Sequence, residues 1–165
     1  MNVSKSIAEL VAAAQANAKA PQDRISELSH ATTGPEAEQL RAATVELEKI
    51  SVDIYSVFEA RMQHHFKRGP FSRKLQSLLV AGGETDLAER IRQYYLAINV
   101  LKHGKGDSYR ELAKEQDALV VLRPAQDMIE DDTTRAVGLV DVTDEGFFDG
   151  LTAAILEAYR FLEQK

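Results

Sequence analysis

Residues 35–67 read PEAEQLRAATVELEKISVDIYSVFEARMQHHFK, and this stretch decides the fold class. Apolar side chains recur along it every three or four residues, the spacing that turns one face of a helix toward a core. The stripe consists of Leu40, Ala43, Leu47, Ile50, Ile54, Val57, Phe58, Met62 and Phe66. Pro35 suits the first position of a helix, where a backbone N–H would have no intrahelical partner. The sequence therefore predicts a long helix from Pro35 to about Lys67 that carries the core.

Helical patterns continue on both sides of this stretch. Upstream, Ser4 is the expected N-cap of a first helix that Pro21 ends, and a short helical piece is expected around Ile25. Downstream, Ser72 is the expected cap of a helix that the Gly82–Gly83 pair ends. These elements add helices to the core without introducing strands.

Three later segments complete the predicted helices. Residues 85–103 place apolar side chains at helical spacing, and Ser108 with Glu111 fits a capping box at the start of the next helix. Thr143 or Asp144 is expected to cap the last helix. Helical elements therefore dominate the chain from end to end.

Two β-rich runs interrupt the helical pattern, ALVVL at 118–122 and AVGLVDV at 136–142. They predict a two-stranded hairpin whose long connection contains Glu130, Asp131 and Asp132. The fold class expected is mainly α, a bundle of five or six helices with a short two-stranded β-hairpin before the C-terminal helix. We expect one domain over 1–165, with an N-terminal helical arm at 1–34, a bundle core at 35–112, the hairpin at 118–142 and the C-terminal helix at 144–163.

Composition excludes several classes of protein. The 165 residues include no cysteine, which removes disulfides, thiolate metal sites, iron–sulfur clusters and cysteine nucleophiles. Neither a signal peptide nor a transmembrane run of apolar residues is visible, so we expect a cytoplasmic protein without membrane contact. No cofactor-binding motif occurs, and we expect no cofactor.

Charge is unevenly distributed along the chain. The net charge of −6 argues against a chain-wide grip on nucleic acid, because phosphate binding needs clustered cations. From Ala60 to Gly83, however, there is no acidic residue. This stretch contains Arg61, His64, His65, Lys67, Arg68, Arg73 and Lys74. We therefore expect a basic local face on an acidic protein.

The string INVLKHGKGDSYREL, residues 98–112, has two interpretations. In the structural one, Lys102 and His103 stand in the last turn of a helix, where cations interact favourably with the helix dipole, and Gly104 terminates it. In the functional one, the four-residue spacing of Asn99 and His103 puts both side chains on one helix face. Such a pair is suited to gripping a phosphate or a ribose.

The functional interpretation resembles a known family, the HEPN superfamily of small helical-bundle proteins. Its signature is an Arg followed by a polar residue, often Asn, with a His four to six residues after the Arg near a helix end, and Gly often follows the His. Here Asn99, His103 and Gly104 match, and SVFEARM at 56–62 is similar to the family's preceding helix. The resemblance covers roughly Leu40 to Leu112 and the final helix in outline.

The resemblance implies a metal-independent endoribonuclease, in which Arg and His from two chains of a dimer cleave RNA beside a ribose 2′-hydroxyl. His transfers a proton and Arg stabilises charge on the phosphate. The residue before Asn99 is Ile98, however, so the catalytic Arg is missing. Arg92 is rotated by about 240° around the helix axis from that position. Lys102 lies one turn beyond that position and is better placed, but its flexible ammonium lacks the planar guanidinium with which Arg binds phosphate. The resemblance therefore implies a member that binds RNA or a nucleotide with little or no catalysis.

The candidate catalytic residues are accordingly His103, Lys102 and Asn99. Arg61, Arg92, Lys105 and Tyr95 are candidates to contact the substrate, since cations pair with phosphates and an exposed tyrosine stacks on a base. We predict no metal site. Adjacent His64 and His65 point in different directions on a helix, and the acidic loop lacks the spacing of a calcium-binding loop.

Two further functions stay open at the level of sequence. The missing Arg and the acidic net charge favour a non-catalytic interaction module, either a homodimer or the partner subunit of a toxin, nucleotidyltransferase or defence system. A metal-dependent helical-bundle enzyme has little support, since no convergent ligand set is visible.

Overall fold

A computed structural model describes residues 6–63, 66, 69–115, 118–122, 139–144 and 146–164. Within these ranges the chain forms six α-helices, which confirms the mainly helical bundle. The helices are α1 (Ile7–Glu27), α2 (Gly34–Met62), α3 (Phe71–Ala81), α4 (Thr85–His103), α5 (Asp107–Ala113) and α6 (Phe147–Glu163). None of the described helices combines the length and apolar character that crossing a lipid bilayer requires.

The first helix corrects two sequence predictions. A capping box between Ser6 and Glu9 starts α1, whereas the expected cap, Ser4, lies outside the described residues. Pro21 does not end the helix, which continues through the Ile25 region to Glu27. A proline inside a helix costs about 3 kcal/mol. Pro21 and Ile25 are both buried on the core face of α1, so burial of that face offsets the cost.

The long helix predicted from residues 35–67 is α2, which ends earlier, at Met62. Its inward face includes Ala43, Leu47, Ile54 and Phe58, and all four side chains are buried as the spacing predicted. Two other positions depart from the predicted stripe: Val57 is 36% exposed and Tyr55 is buried in its place.

Aromatic rings join α2, α3 and α4 in the core. The rings of Phe58 and Phe66 each lie 5.5 Å from that of Phe71 at the start of α3, in edge-to-face geometry. Tyr55 of α2 lies 6.4 Å from Tyr95 of α4 between ring centroids. Such pairs add to the stabilisation from buried area, so the end of α2 is held against both following helices.

Three predicted caps are not formed. Pro70 precedes α3, and Ser72 lies inside its first turn; Gly106 precedes α5, where no side chain caps the helix. Gly146, with a φ of 105°, precedes α6 in place of Thr143 or Asp144. Glycine adopts that φ without strain, so the chain turns into α6 there.

The predicted hairpin is not supported by the described residues. Within 118–122 and 139–144 there is one isolated antiparallel bridge, Leu122 with Val140, and no strand. The connection with its acidic residues lies outside the described ranges. The apolar side chains of both segments still enter the core, because Val120, Val140 and Val142 are buried.

Candidate functional site

The second half of α4 presents a single strip of accessible side chains. The residues from 91 to 103 that are not buried are Arg92, Tyr95, Asn99, Lys102 and His103. These five positions fall within an arc of about 100° around the helix axis. The structure therefore brings together on one face all five of the α4 residues that the sequence nominates.

Asn99 and His103 differ in what they contact. The side-chain amide of Asn99 donates to the Ser108 hydroxyl at 3.3 Å, which ties α4 to the start of α5; Ser108 forms no capping box because α5 begins one residue before it. His103 is the exposed last residue of α4, and Gly104 follows with a φ of 75°. Among the described residues, no hydrogen bond or ion pair engages the His103 imidazole.

Ile98 faces away from this strip. Its side chain is 1% exposed and belongs to the hydrophobic core. This is the position at which the HEPN pattern places its Arg. A guanidinium there would be desolvated among apolar side chains, so the position is unsuited to a catalytic cation in this fold.

Arg92 lies at the other end of the strip, and its guanidinium is paired with carboxylates. Its Nη2 lies 2.6 Å from Glu89 Oε1 and also contacts Glu115, while its Nη1 lies 3.5 Å from Glu111 Oε1. Hydrogen bonding to Glu89 and Glu115 raises the pKa of Arg92 above its ordinary value. Three acidic partners surround one cation, so Arg92 presents no positive charge to a phosphate, contrary to its nomination as a substrate contact.

Gln93, next to Arg92, is a buried polar residue that the sequence reasoning missed. Its amide nitrogen donates to Glu89 Oε1 at 3.1 Å, and its carbonyl oxygen accepts from the backbone N–H of Leu119 at 2.7 Å. The side chain therefore anchors the segment after α5 to α4. Gln93 lies four residues before Ala97 and seven before Val100, so its position on the face of these apolar side chains was the available signal.

The remaining nominated residues lie on α4, at the end of α2 and in the loop after α4. Tyr95 is half-buried against Tyr55, whose hydroxyl is buried without a hydrogen-bond partner and whose pKa is raised by that burial. Arg61 is half-buried in the last turn of α2, and Lys105 is exposed two residues beyond His103.

The second half of α4, the end of α2 and the beginning of α3 lie close together. α3 and α4 are joined by residues 82–84 and pack together antiparallel, so α3 begins beside the second half of α4. The Phe58–Phe71 contact brings the end of α2 to the same place. The last turns of α2 and the first turn of α3 therefore lie beside the second half of α4, the half that ends at His103.

Among the described residues, the cations of α2 and α3 that lie near α4 lack the carboxylate partners that Arg92 has. Within the described ranges no carboxylate pairs with Arg61, Arg73 or Lys74, whereas Arg90 pairs with Asp86 and with Glu157. The acid-free stretch therefore gives a local positive surface. The other basic residues of that stretch, His64, His65, Lys67 and Arg68, lie outside the described residues.

Metal binding has no support in the part of the chain that the structure describes. No group of three His, Asp or Glu side chains there converges as a metal ion requires. The two sequence features considered for metal, the adjacent histidines and the acidic loop, fall outside the described residues.

Comparisons with protein-family models, curated proteins and solved structures give no match to this chain.

Proposed function

We propose that this chain is a HEPN-like helical domain that binds the phosphates of RNA or a nucleotide without cleaving them efficiently. The observation that carries the proposal is the contrast within α4: His103 and Lys102 are accessible on one face, while Ile98 stands in the core. The two side chains proposed to bind phosphate are thus accessible, whereas the position at which the motif has its catalytic Arg is buried. Arg61, Arg73 and Lys74, which have no carboxylate partner among the described residues, supply positive charge beside the same half of α4.

Asn99 takes a positioning role in this proposal. Its hydrogen bond to Ser108 fixes the angle between α4 and α5, and thereby the loop that carries Lys105. His103 and Lys102 are the residues that contact a phosphate. Weak or absent cleavage follows because the position before Asn99 holds buried Ile98 in place of the guanidinium that would stabilise the charge developing on the phosphoryl oxygens during transesterification.

The test measures fluorescence anisotropy with a labelled single-stranded RNA, together with a gel assay for cleavage. We expect His103→Ala to weaken RNA binding roughly ten-fold, the effect of losing one charge-assisted contact, with an unchanged melting temperature. His30→Ala is the matched control, because His30 is an exposed histidine just after α1. Equal RNA binding by both variants, or a lowered melting temperature for His103→Ala alone, would contradict the proposal and leave His103 as a helix-terminating residue.

A second candidate is the non-catalytic interaction module, as a homodimer or a partner subunit. Leu119 and Val121 favour it, since they are 45% and 47% exposed on either side of buried Val120. Exposed aliphatic side chains mark a contact surface where they belong to a contiguous apolar patch. Size-exclusion chromatography with light scattering tests self-association, and a Leu119→Ser/Val121→Ser variant should convert a dimer to a monomer. A wild-type monomer that retains no partner in a pull-down would eliminate this candidate.

A further inference from the structure

The Tyr55 hydroxyl is a buried polar group that has no hydrogen-bond partner among the described residues. The side chain is only 1% exposed and contacts α4 through Tyr95. Buried polar atoms nearly always have a partner, because a donor without one has lost its hydrogen bond to water and gained nothing in return. A phenylalanine would fill the same space without that loss, so the hydroxyl indicates a partner that binds from outside.

The hydroxyl lies close beneath the surface, at the junction of α2 and α4. Burial raises the pKa of Tyr55 most strongly, and the electrostatic influence of Glu59 and then of Tyr95 raises it further, so both groups lie near the hydroxyl. Both are only partly buried: Glu59 stands one helical turn after Tyr55, and the Tyr95 ring lies 6.4 Å from the Tyr55 ring between centroids. The hydroxyl is therefore directed toward the accessible edge of α2.

Glu59 adds a carboxylate with free acceptor capacity. No cation or hydrogen-bond donor pairs with this side chain within the described ranges. A carboxylate beside a buried hydroxyl offers two acceptor oxygens and one O–H donor to the same ligand. Because a carboxylate can accept two parallel N–H groups, the pair matches a planar group that carries two N–H donors next to a carbonyl oxygen.

Tyr95 and Lys102 extend this cluster along α4. Both side chains are partly exposed, and they stand seven residues apart, on the same side of the helix and about 10 Å apart along its axis. An accessible tyrosine ring stacks on a base, and a lysine pairs with a phosphate. The cluster and Lys102 therefore offer separate contacts to the base and to the phosphate of a nucleotide.

We propose that Tyr55, Glu59 and Tyr95 form a nucleobase site that prefers guanine. The Glu59 carboxylate accepts hydrogen bonds from the two N–H donors on the Watson–Crick edge of guanine, and the Tyr55 hydroxyl donates to the adjacent carbonyl oxygen. The Tyr95 side chain turns outward to admit the base and stacks on it. Adenine presents an acceptor nitrogen to the carboxylate, and uracil has a single N–H, so both fit less well. This inference rests on the proposed function and names the base that the site recognises.

The experiment titrates the full chain with GMP, IMP, UMP and AMP in a calorimeter, so that each ligand carries the same phosphate. We expect GMP to bind roughly ten-fold more tightly than AMP or UMP, because a hydrogen bond to a charged group is worth at least that factor. IMP, which lacks the amino group of guanine, should fall between them. Glu59→Gln should remove the preference for GMP, whereas Glu46→Gln should retain it, because Glu46 is exposed elsewhere on α2.

The Tyr55 hydroxyl is tested separately with Tyr55→Phe. This variant should bind GMP roughly five-fold more weakly, while its stability to urea is unchanged or higher, because the substitution removes an unsatisfied buried hydroxyl. Tyr159→Phe is the matched control, since Tyr159 is a partly buried tyrosine on α6. Equal GMP affinity in the two variants would overturn the site.

The outcomes separate the base site from the proposed function. If all four nucleotides bind equally and His103→Ala weakens each of them, the base site is overturned and the proposed function stands. If GMP and guanosine, which has no phosphate, bind equally well and Glu59→Gln weakens both while His103→Ala weakens neither, the base site stands and phosphate binding fails. If no nucleotide binds, the base site is overturned as well.

Discussion

Gly150 of α6 illustrates how one residue can fix a contact between two helices. A Cβ at Gly150 would lie 2.1 Å from the Tyr94 hydroxyl oxygen, and Tyr94 is 5% exposed and unable to swing away freely. Glycine inside a helix ordinarily costs about 0.5–1 kcal/mol relative to alanine. The close approach of α4 and α6 therefore justifies a residue that would otherwise weaken α6.

We expect Gly150→Ala to lower the free energy of unfolding by about 1–3 kcal/mol, because the added methyl overpacks the contact with Tyr94. Urea unfolding followed by circular dichroism measures this change. Tyr94→Phe removes the clashing oxygen, so the double variant Gly150→Ala/Tyr94→Phe should recover most of the loss. A double variant as unstable as Gly150→Ala alone would show that the hydroxyl is not the cause.

Ile98 gives a second prediction at the scale of the residue. Introducing an Arg with Ile98→Arg should not create a ribonuclease but should cost at least about 3 kcal/mol, because it buries an unpaired guanidinium. Ile98→Val is the control and should cost only about 0.5–1.5 kcal/mol. Thermal unfolding and the RNA-cleavage assay measure both effects. An Ile98→Arg protein that is as stable as wild type and cleaves RNA would refute the inward orientation of this position.

At the scale of the element, Arg92 pairs with Glu89 inside α4 and also links α4 to Glu111 of α5 and to Glu115 just beyond α5. The hydrogen bond from Arg92 lowers the pKa of Glu89 below its ordinary value of 4.5. Because the folded-state pKa is lowered, the pair stabilises the protein above pH 4.5, and this contribution disappears as the pH falls through the lowered value. Solvent screens the pair, since the Glu89 side chain is 50% exposed, so the contribution is at most about 1 kcal/mol.

We therefore expect Arg92→Ala to lose about 1 kcal/mol of stability near neutral pH and progressively less in acid. Urea unfolding of wild type and Arg92→Ala, from neutral pH to below pH 4.5, measures the difference in stability. Hydrogen exchange should show faster opening of α5 in the variant. Arg110→Ala is the control, because Arg110 pairs with Asp107 within α5 and its side chain is 66% exposed. A loss of equal size at every pH would assign the effect of Arg92→Ala to packing of the side-chain stem.

The helices were largely predictable because their signals are local. Ala43, Leu47, Ile54 and Phe58 reveal the inward face of α2 through spacing alone. Caps were less predictable, because a hydroxyl can serve distant partners. Ser108, for example, lies inside the first turn of α5, and its hydroxyl accepts from Asn99 on the preceding helix.

The candidate site was predictable only as far as helix geometry extends. The four-residue spacing of Asn99 and His103 correctly gave a shared face. One of the carboxylates paired with Arg92 belongs to Glu115, which lies 23 positions further along the chain. The packing of α5 on α4 brings this carboxylate to Arg92. Local spacing contains no information about such a pairing.

At the scale of the whole molecule, a net charge of −6 opposes binding of a polyanion unless cations are segregated. The structure provides that segregation, because α4 pairs Arg90 and Arg92 with carboxylates while Arg61 and Arg73 have no such partner among the described residues. The acidic remainder of the surface repels RNA. Salt screens this repulsion at the same ionic strengths at which it weakens the attraction between RNA and the local cations. RNA binding should therefore be weak and confined to one end of the bundle.

This charge arrangement predicts a limited salt dependence of RNA binding. Each phosphate neutralised on a single strand contributes about −0.7 to the slope of log binding constant against log salt concentration. If Arg61, Arg73, Lys74 and Lys102 each engage a phosphate, the slope should be no steeper than about −3. Anisotropy titrations over a range of potassium chloride concentrations measure it. Arg73→Ala/Lys74→Ala should reduce the slope by about 1.4, whereas Lys19→Ala, which removes a cation paired with Asp23 on α1, should leave it unchanged. A slope that none of these substitutions alters would place the phosphate contacts elsewhere on the molecule.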